Sequence, residues 1–511
     1  MDTQITTERL TKRNLWTYTL ASIGRDTATL LWSGYLITFV IFTRTLSDSQ
    51  FAVLNAIMIA ARIFDAFNDP VMGNILEVTR TKWGKFKPWI FIGMVFSAMV
   101  YLVSFSNTLD GWAYVALFGV MYFVYSIVFT MNDIAFWGML PSLANQKSDR
   151  DKLTSRAVFF AGVGGAIASI VVPTFTAGDM TIGGNAVSAY RMIAVIFTIC
   201  FIGFQMIALL GVKEKPLPPK GESTVNKVGL GTIFRTIRNN DQLSWAIIFF
   251  LFNTTGSGIL NNGLGINYIF FEFGYNGMLF TVFSALGAVA AAVVMVFFTP
   301  ISRRFTRDQL MKLSVWSIAG GYLAILLVGL VVPSGAMWLK FGLMMVGNLF
   351  AFAGQSVAYL VIMICIANAV EYNEWKTGAR AEGIIFSVRP FVTKLGWAII
   401  QFIVMIVFLA TGVRTYTNQI ADLENAASRG LGKEAKTEGI KRVLASVPAD
   451  KSTALLVCMT IIPIVFALAS YAVYKRKYTI TEEKYDRILA ELEERKALVG
   501  GKIPPLEERN D

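Results

Sequence analysis

Apolar runs of about 20 residues, the length an α-helix rising 1.5 Å per residue needs to cross a bilayer, recur along nearly the whole chain and leave few folds open. Backbone amides and carbonyls in hydrocarbon must be satisfied within each segment, so runs of this kind fold as helices. Twelve such spans can be placed. The chain has 511 residues, 55% hydrophobic and 16% charged, against about 25% charged in a soluble protein. Soluble binding modules and nucleic-acid-binding proteins are excluded on that ground, and loops on one side of the membrane account for the net charge of +12. The first span begins too late and runs too long to be a cleavable signal peptide. The expected class is an all-α integral membrane protein of twelve transmembrane helices arranged as two six-helix bundles.

Glu8, Arg9, Lys12 and Arg13 precede the first span and place the N-terminus in the cytoplasm by the excess of Lys and Arg. Arg80, Lys82, Lys85 and Lys87 after the second span mark a cytoplasmic turn, whereas Asp110 is the lone charge between spans three and four. The longest cytoplasmic loop, with Pro216, Pro218 and Pro219, divides the chain. This predicts an N-terminal bundle over 1–212, a central loop over 213–241, a C-terminal bundle over 242–475 and a cytoplasmic tail over 476–511. A hydrophilic stretch at 413–451 with a helix-like middle is external by parity. In the tail, Tyr485, Ile488, Leu489 and Leu492 share one helical face, as expected of a docked or surface helix. The halves echo each other: Asp133 and Trp137 match Glu371 and Trp375, and Ser155, Phe159 and Gly164 match the spacing of Ser387, Phe391 and Gly396. Such repeats bind substrate and ions near mid-membrane. Cys200, Cys365 and Cys458 lie far apart in apolar spans and read as buried thiols.

The second span interrupts its apolar run with Arg62, Asp65, Asn68 and Asp69, which gather on one helical face. A charge at mid-bilayer costs roughly 2.5 to 3.5 kcal/mol, so this stripe needs mutual pairing or a ligand. Arg62 neutralising one carboxylate accounts for one aspartate; a cation site accounts for both. The chain contains no histidine, which removes imidazole relays, His metal ligands and imidazole-dependent triads. Cation or proton chemistry therefore falls to carboxylates. Arg25, Asp26, Asp133, Arg156, Arg389 and Lys394 are the other intramembrane ionisable residues, and such residues mark a substrate or ion path. Trp137 sits one turn beyond Asp133. Carboxylates and guanidinium groups hydrogen-bond hydroxyls, and an aromatic plane packs on the apolar face of a pyranose. That combination points to a sugar, with an ordinary interfacial aromatic as the plainer reading of Trp137.

In these residues the chain resembles the glycoside-pentoside-hexuronide:cation symporters of the major facilitator superfamily. The carrying residues are Gly24, Arg25 and Asp26, the stretch from Asp65 to Gly73, the basic turn from Arg80 to Pro88, Thr130 with Asp133 and Trp137, Arg156, and Thr393 with Lys394. The resemblance covers nearly all spans and implies the major facilitator fold. It also implies a cation site of Asp65, Asn68, Asp69, Thr130 and Asp133, with transported sodium on Asp65, Asp69 and Asp133 and with Lys394 alongside. The implied sugar site is Arg25, Asp26, Asp133, Trp137 and Arg156, with Tyr359 standing where the family pattern has another aromatic. Asp133 would touch both ligands. Arg62, Arg389 and Lys394 balance charge. Asn68, an uncharged oxygen ligand between two acids, favours sodium over protons. Among the departures, Asn368 replaces an expected acid, and Arg389 is an added cation that pairs with Glu382 or Glu371 or recognises a carboxylate on the substrate.

The expected function is secondary active import of a glycoside, pentoside or hexuronide by symport with sodium or protons. No resident cofactor, nucleic acid or obligate protein partner is implied; the partners are a sugar, a monovalent cation and the bilayer. The resemblance implies the plasma (inner) membrane, with N- and C-termini cytoplasmic. A lysolipid or amphipath carrier of the same fold is the alternative: the polar groups at Asp26 and Arg156 speak against a purely apolar cargo and leave an amphipathic one open. An enzyme would need a nucleophile with a base or a metal cluster, and here carboxylates lie on separate spans. A receptor has no need of charges in so many helices.

Overall fold

A computed structural model describes residues 10–144, 146–214, 230–379 and 381–499. Glu8, Arg9, the three loop prolines and the tail beyond 499 lie outside the described residues. The described chain is helical throughout: α1 (Lys12–Thr43), α2 (Asp48–Val78), α3 (Lys87–Ser106), α4 (Gly111–Leu143), α5 (Lys147–Thr176), α6 (Ala186–Gly211), α7 (Leu230–Asn239), α8 (Asp241–Ile259), α9 (Gly265–Phe273), α10 (Gly277–Ser302), α11 (Arg307–Val331), α12 (Met337–Thr377), α13 (Glu382–Thr411), α14 (Arg414–Ser428), α15 (Lys433–Ala445), α16 (Ala449–Lys477) and α17 (Glu482–Val499). Among the described residues, ten helices are long and apolar enough to cross a membrane. The other two expected spans are α2, which carries the polar stripe, and the seventh, which α8 and α9 share across a π-helical turn at Leu260–Leu264. Gly263 in that turn has φ +128, a conformation side-chain-bearing residues resist.

Helix starts follow local chemistry. Ser47 and Gln50 form a reciprocal capping box at α2, and Thr306 and Gln309 do the same at α11. The α12 helix stops at Gly378, whose φ of +71 is the left-handed stop that glycine allows.

The chain does not divide at one boundary into two consecutive halves. One compact unit comprises Met1–Lys227, Ile269–Thr281 and Phe408–Val447; the other comprises Val228–Tyr268, Val282–Val407 and Pro448–Asp511. The hydrophilic stretch before the last span thus belongs with the N-terminal helices, where α14 and α15 form a cap. Asn418 donates to the Leu46 carbonyl and Asn425 to the Thr43 carbonyl, each at 2.9 Å. The Arg414 guanidinium lies 4.2 Å from the Phe51 ring centroid and donates to Asp48 at 2.9 Å. Glu424, wholly buried, accepts from the Ala186 amide at 2.6 Å and pairs with buried Lys436 at 3.3 Å. Burial pushes the Glu424 carboxyl up, against the pull of Lys436 and the Ala186 amide.

In the other unit, α17 is docked. Ile488 and Leu492 enter a core with Leu310, Ile366 and Val388, Tyr478 donates to the Cys365 carbonyl at 3.1 Å, and Trp375 donates to Glu491 at 2.7 Å. Glu482 accepts from the backbone and side chain of Arg307 at 2.6 and 3.1 Å. Cys365 is buried, but Cys200 and Cys458 are only half-buried, and all three are free thiols.

Removing one partner of a buried ion pair costs about 3 to 5 kcal/mol because the other charge stays buried. Lys436→Met should therefore loosen the cap by about that amount and Lys436→Met with Glu424→Leu by much less, read as protease sensitivity of the 413–447 segment. Partial burial pushes the Glu482 carboxyl up, but the Arg307 bonds outweigh it and leave it below its ordinary value. A depressed carboxyl contributes stability above its unfolded value of about 4.3 and loses it as pH falls through the folded value. Amide protection in α17 should therefore drop on acidification below about pH 4, and Glu482→Gln should flatten that dependence.

Candidate functional site

Close helix approach places the first charged group. A Cβ on Gly24 would stand 2.6 Å from the Cys200 carbonyl oxygen, and one on Gly164 would overlap the Ile23 carbonyl. Two glycines therefore let α6 and α5 close on α1 around the turn that bears Arg25. The Thr27 hydroxyl, 3.1 Å from the Gly164 carbonyl, fixes the register.

Arg25 is the hub. Its Nη1 donates to Asp133 Oδ1 at 2.8 Å, while Nε and Nη2 reach Asp26 Oδ2 at 3.2 and 3.0 Å. The guanidinium carbon lies 4.8 Å from the Phe136 ring centroid and 4.9 Å from that of Trp137, and Tyr18 stacks on Phe136 at 4.5 Å. The Arg25 side chain is 5% exposed, against 28% for Asp26 and 41% for Asp133. The cation is thus sealed in aromatic surface while both carboxylates stay partly exposed, an arrangement able to take hydroxyl groups without uncovering the arginine.

A second polar group lies between α2 and α4. The Ser126 hydroxyl donates to Asp65, whose other oxygen is 3.6 Å from Arg62. Asn68 donates to the Ser126 carbonyl at 3.4 Å, and the Thr130 hydroxyl donates to Asp69 at 3.2 Å. Sequence reasoning did not single out Ser126. Its signal was the series Ser126, Thr130, Asp133, spaced four and three apart, a polar stripe matching that of α2.

The expected cation residues Asp65, Asn68, Asp69 and Thr130 are brought together. Asp133 is one turn past Thr130 but points a carboxylate oxygen at Arg25. Among the described residues, no three acidic, cysteine or histidine side chains converge as a metal-holding group. Arg156 is exposed, its guanidinium 5.1 Å from the Trp16 ring centroid, and Trp16 precedes Arg25 by nine residues on α1. The structure thus sets Arg156 beside Trp16 rather than on the Arg25 carboxylates.

Tyr359, Arg389 and Lys394 belong to the other unit. Arg389 Nη2 donates to the Tyr359 hydroxyl at 2.5 Å. Trp375, the sequence echo of Trp137, is taken up by α17: Glu491 accepts its indole proton and Arg495 donates to its carbonyl at 3.0 Å. The echo does not carry a second copy of the Arg25 group.

Long apolar helices with a buried arginine joining two carboxylates beneath an indole define a membrane transporter rather than an enzyme. The MFS/sugar transport protein family model matches residues 17–482, and the chain belongs to that family, which bears out the glycoside-pentoside-hexuronide symporter resemblance. It is 27% identical to a lactose permease of Lactobacillus delbrueckii subsp. bulgaricus over 93% of this chain and 72% of that one. It is also 27% identical to a raffinose carrier protein of Pediococcus pentosaceus, over 93% and 70%. Among solved structures, a nucleoside transporter superposes with a TM-score of 0.59 at 14% identity, covering 91% of this chain and 100% of that one; this likeness establishes the major facilitator fold.

Arg25→Gln leaves Asp26 and Asp133 without their shared cation and should lower the unfolding free energy by about 3 kcal/mol, whereas Arg156→Gln, at an exposed site, should stay within about 0.5 kcal/mol. Chemical unfolding in micelles compares the two.

Proposed function

We infer that this protein imports a glycoside or related sugar by symport with a monovalent cation, sodium in preference to protons, across a plasma membrane with both termini cytoplasmic. One observation carries the reading: α4 presents Thr130 to Asp69 and, three residues on, Asp133 to Arg25. The two polar groups therefore share one helical edge.

The sugar site in this reading is the exposed side of Asp26 and Asp133 with the Trp137 ring as its apolar wall. Sugar hydroxyls donate to the carboxylates, and Arg25 holds both in place. Sodium, a hard cation, takes oxygens from Asp65, Asp69, Asn68 and Thr130. Binding there draws α4 against α2 and holds Asp133 in place for the sugar. A ligand that orders a group another ligand needs raises that ligand's affinity, and the coupling is reciprocal. Arg62 offsets Asp65 when the cation is absent. The names of the lactose and raffinose relatives support a glycoside cargo.

Uptake into proteoliposomes tests this. An inward sodium gradient should drive accumulation of a lactose- or raffinose-type sugar. Asp69→Cys should abolish accumulation while downhill exchange persists, and Asp26→Ala should weaken sugar binding at least about 10-fold, the scale of one charge-assisted hydrogen bond. Full accumulation by Asp69→Cys, or equal sugar affinity with and without sodium at every pH, would overturn the coupling site.

A further inference from the structure

Arg62 and Asp65 form a loose pair. The Arg62 guanidinium stands 3.6 Å from an Asp65 oxygen, beyond the roughly 2.7 to 2.9 Å of a charge-assisted N–H···O bond. The same group lies 5.9 Å from the centroid of the Tyr122 ring, at the outer limit of about 6 Å for a cation–π contact. The arginine is thus shared between a carboxylate and an aromatic ring and is fully committed to neither.

The ring has a fixed place. Tyr122 is buried, with the ring centroids of Trp32 at 5.6 Å and Phe118 at 5.5 Å. Trp32 in turn stacks on Tyr125 at 4.2 Å, and the Tyr125 hydroxyl meets that of Tyr101 at 3.3 Å. A ring packed in this way is already ordered, so holding a cation against it carries little further entropy cost. Tyr122 and Ser126 are four residues apart on α4 and therefore share a face. One turn of α4 reaches both members of the pair: Ser126 donates to one Asp65 oxygen, Arg62 faces the other, and Tyr122 lies beside the arginine. The bond from Ser126 limits rotation of the carboxylate and places its second oxygen where Arg62 and an incoming cation compete for it.

We propose that Tyr122 is a positioning residue for Arg62: its ring takes the guanidinium when sodium occupies Asp65, and the guanidinium returns to Asp65 when the ion leaves. This rests on the cation site of the proposed function and adds the residue that sets its affinity. A positive side chain beside a cation site lowers that site's affinity by repulsion. Moving it onto a ring that is already in place relieves the repulsion without exposing the charge to lipid, where it is costly. Every charge has a partner in both states.

Calorimetric titration of the purified full-length protein with sodium chloride tests this, with choline chloride holding ionic strength constant and at an alkaline pH where few protons compete. Arg62→Gln should bind sodium at least about 10-fold more tightly than wild type, since a neighbouring like charge shifts an ionic equilibrium by that much or more. Tyr122→Leu should weaken sodium binding about 5-fold, the scale of one cation–π contact, and Tyr122→Phe, which keeps the ring, should stay within about 2-fold of wild type. In the Arg62→Gln background Tyr122→Leu should have no further effect, a non-additivity that lost packing alone does not produce. Tyr122→Met, a second ringless side chain, guards against a leucine variant that fails to fold. If Arg62→Gln binds sodium no better than wild type, if the ringless variants cost the same with and without Arg62, or if Tyr122→Phe falls with them, the positioning role is overturned while the cation site stands. If wild type shows no sodium binding that Asp69→Cys removes, the cation site itself fails, and the inference with it.

Discussion

One buried guanidinium governs the N-terminal unit. Arg25 cannot stand alone in apolar surroundings, so it draws Asp26 from its own helix and Asp133 from α4. Much of the nearby packing serves that three-way contact. Gly24 and Gly164 permit the close approach that seats α1, Tyr18 and Phe136 cover the cation, and α4 is held on α3 by Asn132 donating to the Ile90 carbonyl at 3.0 Å. An ion pair of this kind adds little net stability over apolar packing. Its value is positional: two acids are held fixed and partly exposed where apolar side chains would leave neither.

Arg62 works differently. It lies three residues before Asp65 on the same helix at 3.6 Å, a looser and more local contact than that of Arg25. The neighbouring Asp69 takes a hydroxyl from Thr130. The α2 stripe therefore has carboxylate and hydroxyl oxygens beside Arg62, whereas the Arg25 group has its charges tightly interlocked.

Much of this was legible in the sequence because the signals were local. Apolar length set the helices, and the i, i+3, i+4 spacing of Asp65, Asn68 and Asp69 placed their oxygens together. The partners from other helices were harder to read, since register between helices depends on where backbones meet. Ser126 looks like any small polar residue until α4 is aligned with α2, and Arg156 joins Trp16 because nine residues of α1 separate that ring from Arg25. Span seven broke at Gly263, where composition shows an apolar run and only backbone geometry shows the π turn. The docking of α14 on the N-terminal helices was invisible, because Glu424 and Lys436 read as solvated charges until each finds the other in the interior.

That cap bears on how the protein is made. The first unit extends to Val447, so a ribosome must translate past Glu424 before the Ala186 amide meets it. Until then the six leading helices sit in the bilayer with that helix start uncapped by its eventual partner. Domains of many chains fold one by one during synthesis; here the N-terminal unit reaches its full set of contacts only after the helices of the other unit before Phe408 have been made.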